Sequence, residues 1–419
     1  MKTNIRRLFI FGLRSMTLLA KFALTLFITR FLGLEAMGLY GLILGAAALA
    51  PFVFGFGLYS LLNRHIVDMP LHQAMPSIMA RFTLTSVIYA VLLPTTLAAN
   101  QAMGSPLPMT VALLAAVIVF FEHLGIDAHG VLTSRHRPNL ATVLFFVRSG
   151  LWMFIYMALA LFIEPLRHFE MMLYFWLGGS GLTLLVLVAL LIAKGRYRMI
   201  SFDFGWIKES VPKGRYMYLF EVGNIGGQFI DRFFITFLLG LEAAGIYVFF
   251  WSLSNAAYNL VYFSVVQPNN PHVIGAAKKG DQGAFRKAVF TQQKAGMIWG
   301  GLCCLAVLAA APVLIDILDK PAIADHFWII ALLLPAALIR LGADTLQNAI
   351  YAKGKDKVMG LICLVSLLSS AVFLCILTPL WGLLGASIAA LATNLTLLGM
   401  RVLNALPLLH LEESKTPVA

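Results

Sequence analysis

Three basic residues in the first stretch of the chain, Arg7, Arg14 and Lys21, are spaced by sevens within an otherwise apolar run. Seven residues are nearly two turns of helix, so the three side chains leave almost the same face, drifting by about 20° per step. At about 1.5 Å per residue they make a ladder with rungs about 10 Å apart. Such a row is the chemistry of anion recognition, phosphate above all, because ammonium and guanidinium groups combine a fixed charge with several N–H donors. A long basic side chain near the end of a membrane helix can snorkel to the headgroups, which accounts for Arg7 and can account for Arg14. Lys21 sits too deep for that and is expected to face a hydrated cavity.

Arg148, Arg232 and Arg340 join Arg14 and Lys21 as candidate contacts to an anionic cargo. Arg30, Arg81, Lys294 and Arg401 lie nearer the ends of their apolar stretches, where anchoring at the membrane surface explains each equally well. A charge near the bilayer centre costs about 2.5–3.5 kcal/mol on insertion scales, so it persists where it meets water or a partner. The acids are Glu122, Asp127, Glu221, Asp231 and Asp344, and their two readings are ion coupling and plain charge balance. Glu221, Asn224, Gln228, Asp231 and Arg232 fall within about a 100° arc of one helix. That polar face either lines a cavity or holds neighbouring helices together. Arg340 and Asp344 are four apart and can pair along one helix, which weakens the case for Arg340 touching cargo. His123 and Asp127 share that spacing, with Glu122 and His129 nearby, and an acid beside a histidine can relay protons or simply neutralise an arginine.

The elements that position these residues must be membrane helices. Of 419 residues, 60% are hydrophobic and 12% charged, against an apolar share of about 45–50% in soluble domains. Apolar blocks near the ~20 residues that cross ~30 Å of hydrocarbon predict twelve spans, at 8–31, 38–62, 78–99, 109–132, 140–163, 171–193, 216–239, 245–266, 292–315, 327–351, 359–380 and 383–407. Twenty basic residues fall in the segments on the N-terminal side, Lys2, Arg6, Arg198 and Lys415 among them, and only Arg167 and Lys320 on the other. That asymmetry predicts both termini inside, and it explains the net charge of +12 as topology, so nucleic acid is not an expected partner.

Leu32–Tyr40 reads LGLEAMGLY and Leu239–Tyr247 reads LGLEAAGIY, seven identities in nine at half the chain length. Both copies belong to a short outer loop between the first two spans of a six-span half. The expected fold class is therefore all-α and polytopic: a six-helix bundle over 1–193, a linker over 194–215, and a second six-helix bundle over 216–419. Because each half has an even number of spans, a pseudo-twofold along the membrane normal relates them, with a cleft at the midplane. Pro51, Gly55 and Gly57 interrupt the second span, and Pro335 and Gly342 the tenth. Gly280–Lys287 suggests a short amphipathic helix on the inner surface. The basic N-terminus lacks a small-residue cleavage site and reads as a retained first helix. Cys303, Cys304, Cys363 and Cys375 lie in apolar stretches without metal or redox spacing, as core filler. No phosphate-binding glycine loop, HExxH, GxSxG or pair of loop carboxylates occurs, so the chain is not expected to be an enzyme, and no cofactor or metal is expected.

The twelve spans, the two LGLEA loops, IDRFFITFLLGLEAAGIYVF (Ile230–Phe249), Gly354–Lys355 and LWGLLGASIAA (Leu380–Ala390) together resemble the polysaccharide-export branch of the multidrug/oligosaccharidyl-lipid/polysaccharide exporter superfamily, the O-antigen and exopolysaccharide repeat-unit flippases. The resemblance implies a bacterial inner-membrane flippase that moves an undecaprenyl-diphosphate-linked oligosaccharide outward by alternating access. Its cargo would meet basic side chains of the type of Arg14, Lys21, Arg148, Arg232 and Arg340 while the prenyl tail stays in membrane lipid. A polysaccharide polymerase and a chain-length regulator would be partners. The membrane potential would assist, by about 2.3 kcal/mol per negative charge per 100 mV. Two alternatives are a cationic-drug antiporter of the same superfamily, which would favour an acidic cleft, and a membrane polymerase or ligase, which would need a sizeable outer loop.

Overall fold

The computed structural model describes residues 2–196 and 200–410, with side chains described from residue 9 to residue 409 inside those limits. The expectations for Arg198 and Lys415, and for the side chains of Lys2, Arg6 and Arg7, lie outside the described residues. Helix dominates, as it must where backbone N–H and C=O groups have no water to bond. The first compact unit, Met1–Tyr218, contains α1 (Lys2–Phe27), α2 (Leu34–Val53), α3 (Leu58–Ile66), α4 (Leu71–Ala102), α5 (Met109–Ser134), α6 (Pro138–Phe146), α7 (Trp152–Phe162), α8 (Phe169–Ala193) and α9 (Phe204–Lys213). The second, Leu219–Ala419, takes most of α10 (Arg215–Leu239), then α11 (Leu241–Val261), α12 (Gln267–Lys278), α13 (Gln282–Leu318), α14 (Pro321–Asp325), α15 (Trp328–Ala352) and α16 (Asp356–His410). Within the first unit α5 is central, packing on α2, α4 and α8; within the second, α15 holds that place among α11, α13 and α16.

Among the described residues nine helical tracks are long and apolar enough to cross a membrane. The last, Asp356–Leu409, contains two of the predicted spans, turning at Gly382 (φ 58°, ψ −134°). α10 and α11 coincide with the predicted seventh and eighth spans and fall outside the nine, because Glu221, Asp231, Arg232, Asn255 and Asn259 dilute their apolar character.

The LGLEA repeat is written into the backbone. The expected outer loop shrinks to one glycine in each copy, Gly33 (φ 96°, ψ 175°) and Gly240 (φ 91°, ψ 175°), a conformation essentially reserved for glycine. Each glycine carbonyl then receives the first amide of the next helix, Met37 N at 3.2 Å and Ala244 N at 3.2 Å.

Several spans widen or break along their length, the first among them, which ends in the π-helical turn Ile28–Leu32. Pro51 and the FGFG stretch 54–57 end α2, with Phe56 (φ 52°) and Gly57 (φ 70°) in the left-handed region before α3 restarts the span. Between α6 and α7 the span takes a π-helical turn, Val147–Leu151, and after α11 another, Tyr262–Val266. The carbonyls these turns release are met by side chains: Trp152 Nε1 donates to Arg148 O at 2.9 Å, and Gln292 Nε2 to Val266 O at 2.8 Å. Pro335 and Gly342, by contrast, leave α15 continuous. The surface helix expected over Gly280–Lys287 is the opening of the 37-residue α13 instead. Asp281 caps that helix by accepting Ala284 N at 2.8 Å, so the chain runs into the membrane without a second break.

Substituting Gly33→Ala or Gly240→Ala should each cost about 1–3 kcal/mol, lowering the thermal midpoint of detergent-purified protein by similar amounts. A variant with an unchanged midpoint would show that its backbone can leave this conformation freely.

Candidate functional site

In the first unit, Arg81 is fully buried. Its Nε lies 3.0 Å from Asp127 Oδ2, its Nη2 2.9 Å from His123 Nε2, and its Nη1 donates to Gly55 O at 3.3 Å. Thr85 Oγ1 donates to Asp127 at 3.5 Å, and Tyr89 Oη stands 3.3 Å from His123 Nδ1. The guanidinium thus neutralises an acid of α5 and caps the carbonyl end of the broken second span, where the helix dipole favours a cation. Arg135 works similarly at the other end of α3, donating to Ile66 O at 3.0 Å and to Met69 O. Surface anchoring, one of the expectations for Arg81, is therefore corrected: the break in α2 makes a buried acceptor that draws the arginine inward.

Arg148 projects from the π-helical turn across Gly125, whose hydrogen occupies the only space a side chain would contest with the guanidinium. Its Nε lies 3.4 Å from Glu122 Oε2 and its Nη1 donates to Glu122 O at 3.2 Å. Glu122 also accepts from Ser180 Oγ at 2.7 Å and Trp176 Nε1 at 3.1 Å. The charge of Arg148 is thus committed to Glu122. Lys21 differs. It is half-buried, its ammonium stands 5.9 Å from the centre of the Phe145 ring, and it feels the charges of Glu122 and Arg148. Among the described residues it makes no ion pair within 4 Å. Arg14, one ladder step nearer the N-terminus, is also half-buried.

In the second unit, Asp344 of α15 is shared. Arg340 Nε stands 3.2 Å from Oδ2, Tyr258 Oη donates to the same oxygen at 2.5 Å, and Arg401 bonds Oδ1. Arg340 also donates to Asn224 Oδ1 at 2.5 Å, and Arg401 to Gln347. Two guanidinium groups on one carboxylate leave this cluster with a net positive charge. Arg401 is buried, so its expected surface role is also corrected: Asp344 supplies a partner deep in the bundle. Arg30 and Lys294 are exposed.

The polar face of α10 both lines and glues. Asn224 holds Arg340, and Glu221 is buried, while Gln228 and Asp231 border a cavity of about 70 Å³ inside the second unit. At ~10–15 Å³ per water this is room for roughly five waters. Asp231 accepts from Tyr247 Oη at 2.8 Å and from Arg232 N at 2.8 Å. Arg232 itself turns from the carboxylate, 3.9 Å away, onto aromatic faces, 3.9 Å from the Trp251 centre and 4.5 Å from that of Phe229. Asn255, Ser370 and Thr393 add neutral oxygens to the lining, together with Arg340. Thr393 Oγ1 is buried without a hydrogen-bond partner. Among the described residues no group of three or more His, Cys, Asp or Glu could hold a metal.

The sites thus divide. Arg148 with Glu122 and Arg81 with Asp127 are balanced inside the first unit, while Arg340 and Arg401 together outnumber Asp344 in the second; Lys21 makes no ion pair within 4 Å among the described residues, and Asp231 faces a small polar-lined cavity. Sequence reasoning overlooked Tyr247 and Tyr258. Their signal was available, since a tyrosine hydroxyl in a membrane helix needs an acceptor and a buried acid is the strongest one at hand.

No family model and no curated protein matches the sequence. Solved structures do match its fold. An inward-facing multidrug resistance MATE family transporter of the MOP superfamily aligns with TM-score 0.73 and 15% identity over 96% of each chain. The lipid II flippase MurJ, in an inward closed conformation, aligns with TM-score 0.76 and 11% identity over 94% of this chain and 87% of that one. An outward-facing MATE transporter aligns with TM-score 0.62 and 16% identity over 94% and 93%. The chain has the fold of MOP-superfamily transporters, and the matched proteins are transporters and a flippase, not enzymes.

Removing one member of a buried pair strands the other, at about 3–5 kcal/mol. Asp127→Ala should therefore melt well below the parent, and the double variant Arg81→Met/Asp127→Leu should regain most of the loss. A single variant as stable as the parent would remove the cluster from the scaffold.

Proposed function

We propose that this multi-pass membrane protein is a flippase for an undecaprenyl-diphosphate-linked oligosaccharide repeat unit, working by alternating access in the bacterial inner membrane. In this reading twelve spans form two six-helix bundles with both termini inside, and the product feeds O-antigen or exopolysaccharide synthesis, with a polymerase and a chain-length regulator downstream. The observation that carries it is Lys21: a half-buried ammonium on a membrane helix, beside Phe145, with no acid within 4 Å among the described residues. A cation kept at such depth without a protein counter-ion suits an anionic guest, and a diphosphate supplies the charge and acceptors it lacks. Arg14 continues the basic face toward the inner surface. The net positive charge at Arg340, Arg401 and Asp344 supports the same sign of cargo. MurJ, named as a lipid II flippase, shares the fold.

Arg148 and Arg232 act here less as direct ligands than as charges that set the local field, since Glu122 holds one and an aromatic pair the other. Glu122, Asp127 and Asp344 serve charge balance, and the polar-lined cavity beside Asp231 is the best-placed site for ion coupling. Export of a cationic drug is the second reading, favoured by the likeness to MATE transporters. It would need an accessible acid in the place Lys21 holds.

A strain lacking the protein should accumulate lipid-linked single repeat units on the inner leaflet. Lys21→Ala should complement it roughly 10–150-fold less well, the worth of one charged hydrogen bond at about 1.5–3 kcal/mol, at unchanged protein level, with Lys21→Arg retaining most function. Arg148→Ala should lower the amount of folded protein unless Glu122→Gln accompanies it. Normal surface polysaccharide from Lys21→Ala would remove the lysine from the path, and drug sensitivity in place of glycolipid accumulation would favour the antiporter.

A further inference from the structure

The segment 194–215 carries six basic and two acidic residues, yet it also presents an apolar surface. Ile200, Phe202 and Phe204 are 44%, 54% and 52% exposed, and the two phenylalanine rings stack at 6.1 Å. This surface is held rigidly. Asp203 accepts Trp206 N at 2.9 Å and so caps α9, while Asp203 N donates to Pro76 O at 3.2 Å. Trp206 packs on Leu62, Ile66, Ala74 and Ile78 and stacks on His65 at 5.5 Å.

Those contacts also set its height. The 32 residues of α4 are about 48 Å long at 1.5 Å each, more than ~30 Å of hydrocarbon, so the helix protrudes. With that excess shared between the two ends, Pro76, one turn and a half inside the first residue, falls near the level where acyl chains give way to headgroups. The stacked rings are pinned there, and aromatic side chains favour that level. From the same short helix Lys208 and Lys213 are exposed, Lys213 sharing a solvent-facing pair with Glu209 at 3.7 Å.

We propose that residues 200–213 are an interfacial anchor for an anionic phospholipid leaflet: Ile200, Phe202 and Phe204 enter the acyl boundary, and Lys208 and Lys213 bind the lipid phosphates. Apolar insertion and charge attraction act together in such helices, and each basic residue near an anionic surface adds to the binding. The anchor fixes this part of the first unit at the membrane surface. A second copy of the chain or a soluble partner would cover the aromatic pair without placing it in lipid.

The test uses the full chain in phosphatidylcholine vesicles with and without phosphatidylglycerol, its four cysteines replaced by alanine and a single spin label placed at Phe204→Cys, Phe202→Cys or, as aqueous control, Lys355→Cys. The labels at 204 and 202 should be several-fold less accessible to a water-soluble nickel chelate, and more accessible to oxygen, than the label at 355. Either aromatic position can carry this result if the other variant fails to fold. Chelate access equal to that at 355 for both would overturn the insertion. Lys208→Glu/Lys213→Glu should abolish the gain in melting temperature that phosphatidylglycerol gives the parent; an unchanged gain would overturn the headgroup contact.

Discussion

A charge inside a membrane must find either a partner or water, and most of this protein's interior follows from that constraint. In each unit the central helix carries one deep aspartate, Asp127 on α5 and Asp344 on α15, and each is bound by a buried arginine from another helix of its own unit, Asp344 also by Arg340 of its own helix. The solutions share a logic and differ in parts. Asp127 takes Arg81, whose remaining donors reach His123 and the carbonyl of Gly55. Asp344 takes two arginines and a tyrosine hydroxyl. In a medium of low dielectric such pairs bring specificity more than net stability, because desolvation offsets much of the attraction.

The helix irregularities belong to the same account. A buried arginine needs acceptors, and a broken or widened turn exposes backbone carbonyls that a straight helix keeps to itself. The break at 54–57 makes a carbonyl for Arg81, and the π-helical turn at Val147–Leu151 frees Arg148 O for Trp152 while aiming the Arg148 side chain at Glu122. At Gly125 the absence of a Cβ lets that guanidinium pass. Polar residues and backbone distortions are two sides of one packing problem here.

Once the balanced pairs are set aside, few intramembrane groups keep access. Lys21 in the first unit and Asp231 in the second are the ones with geometry for transient partners among the described residues, and they carry opposite charges. A transporter needs binding weak enough to reverse, and groups already satisfied by their own scaffold are poorly suited to it. This is why Lys21 weighs more in the functional reading than Arg148 or Arg340, although all three are deep and basic.

The helical, membrane-spanning character was legible from composition, because apolar blocks of about twenty residues have no other stable solution in water or lipid. The internal repeat was legible too, since LGLEA recurs around a glycine whose backbone only glycine adopts readily. So were the pairs at i, i+4, Arg340 with Asp344 and His123 with Asp127, because helix geometry alone brings them together. What sequence could not reveal was which distant group each charge would meet. Arg81 and Arg401 look like surface anchors until Asp127 and Asp344 are placed beside them, 46 and 57 residues away in the chain. Arg148 looks like a ligand until Glu122 takes it, and the stacked pair of Phe202 and Phe204 is tied to α4 only through the bond from Asp203 N to Pro76 O. Depth in a span is a one-dimensional property and can be counted; neutralisation is a contact between helices, decided by packing in three dimensions.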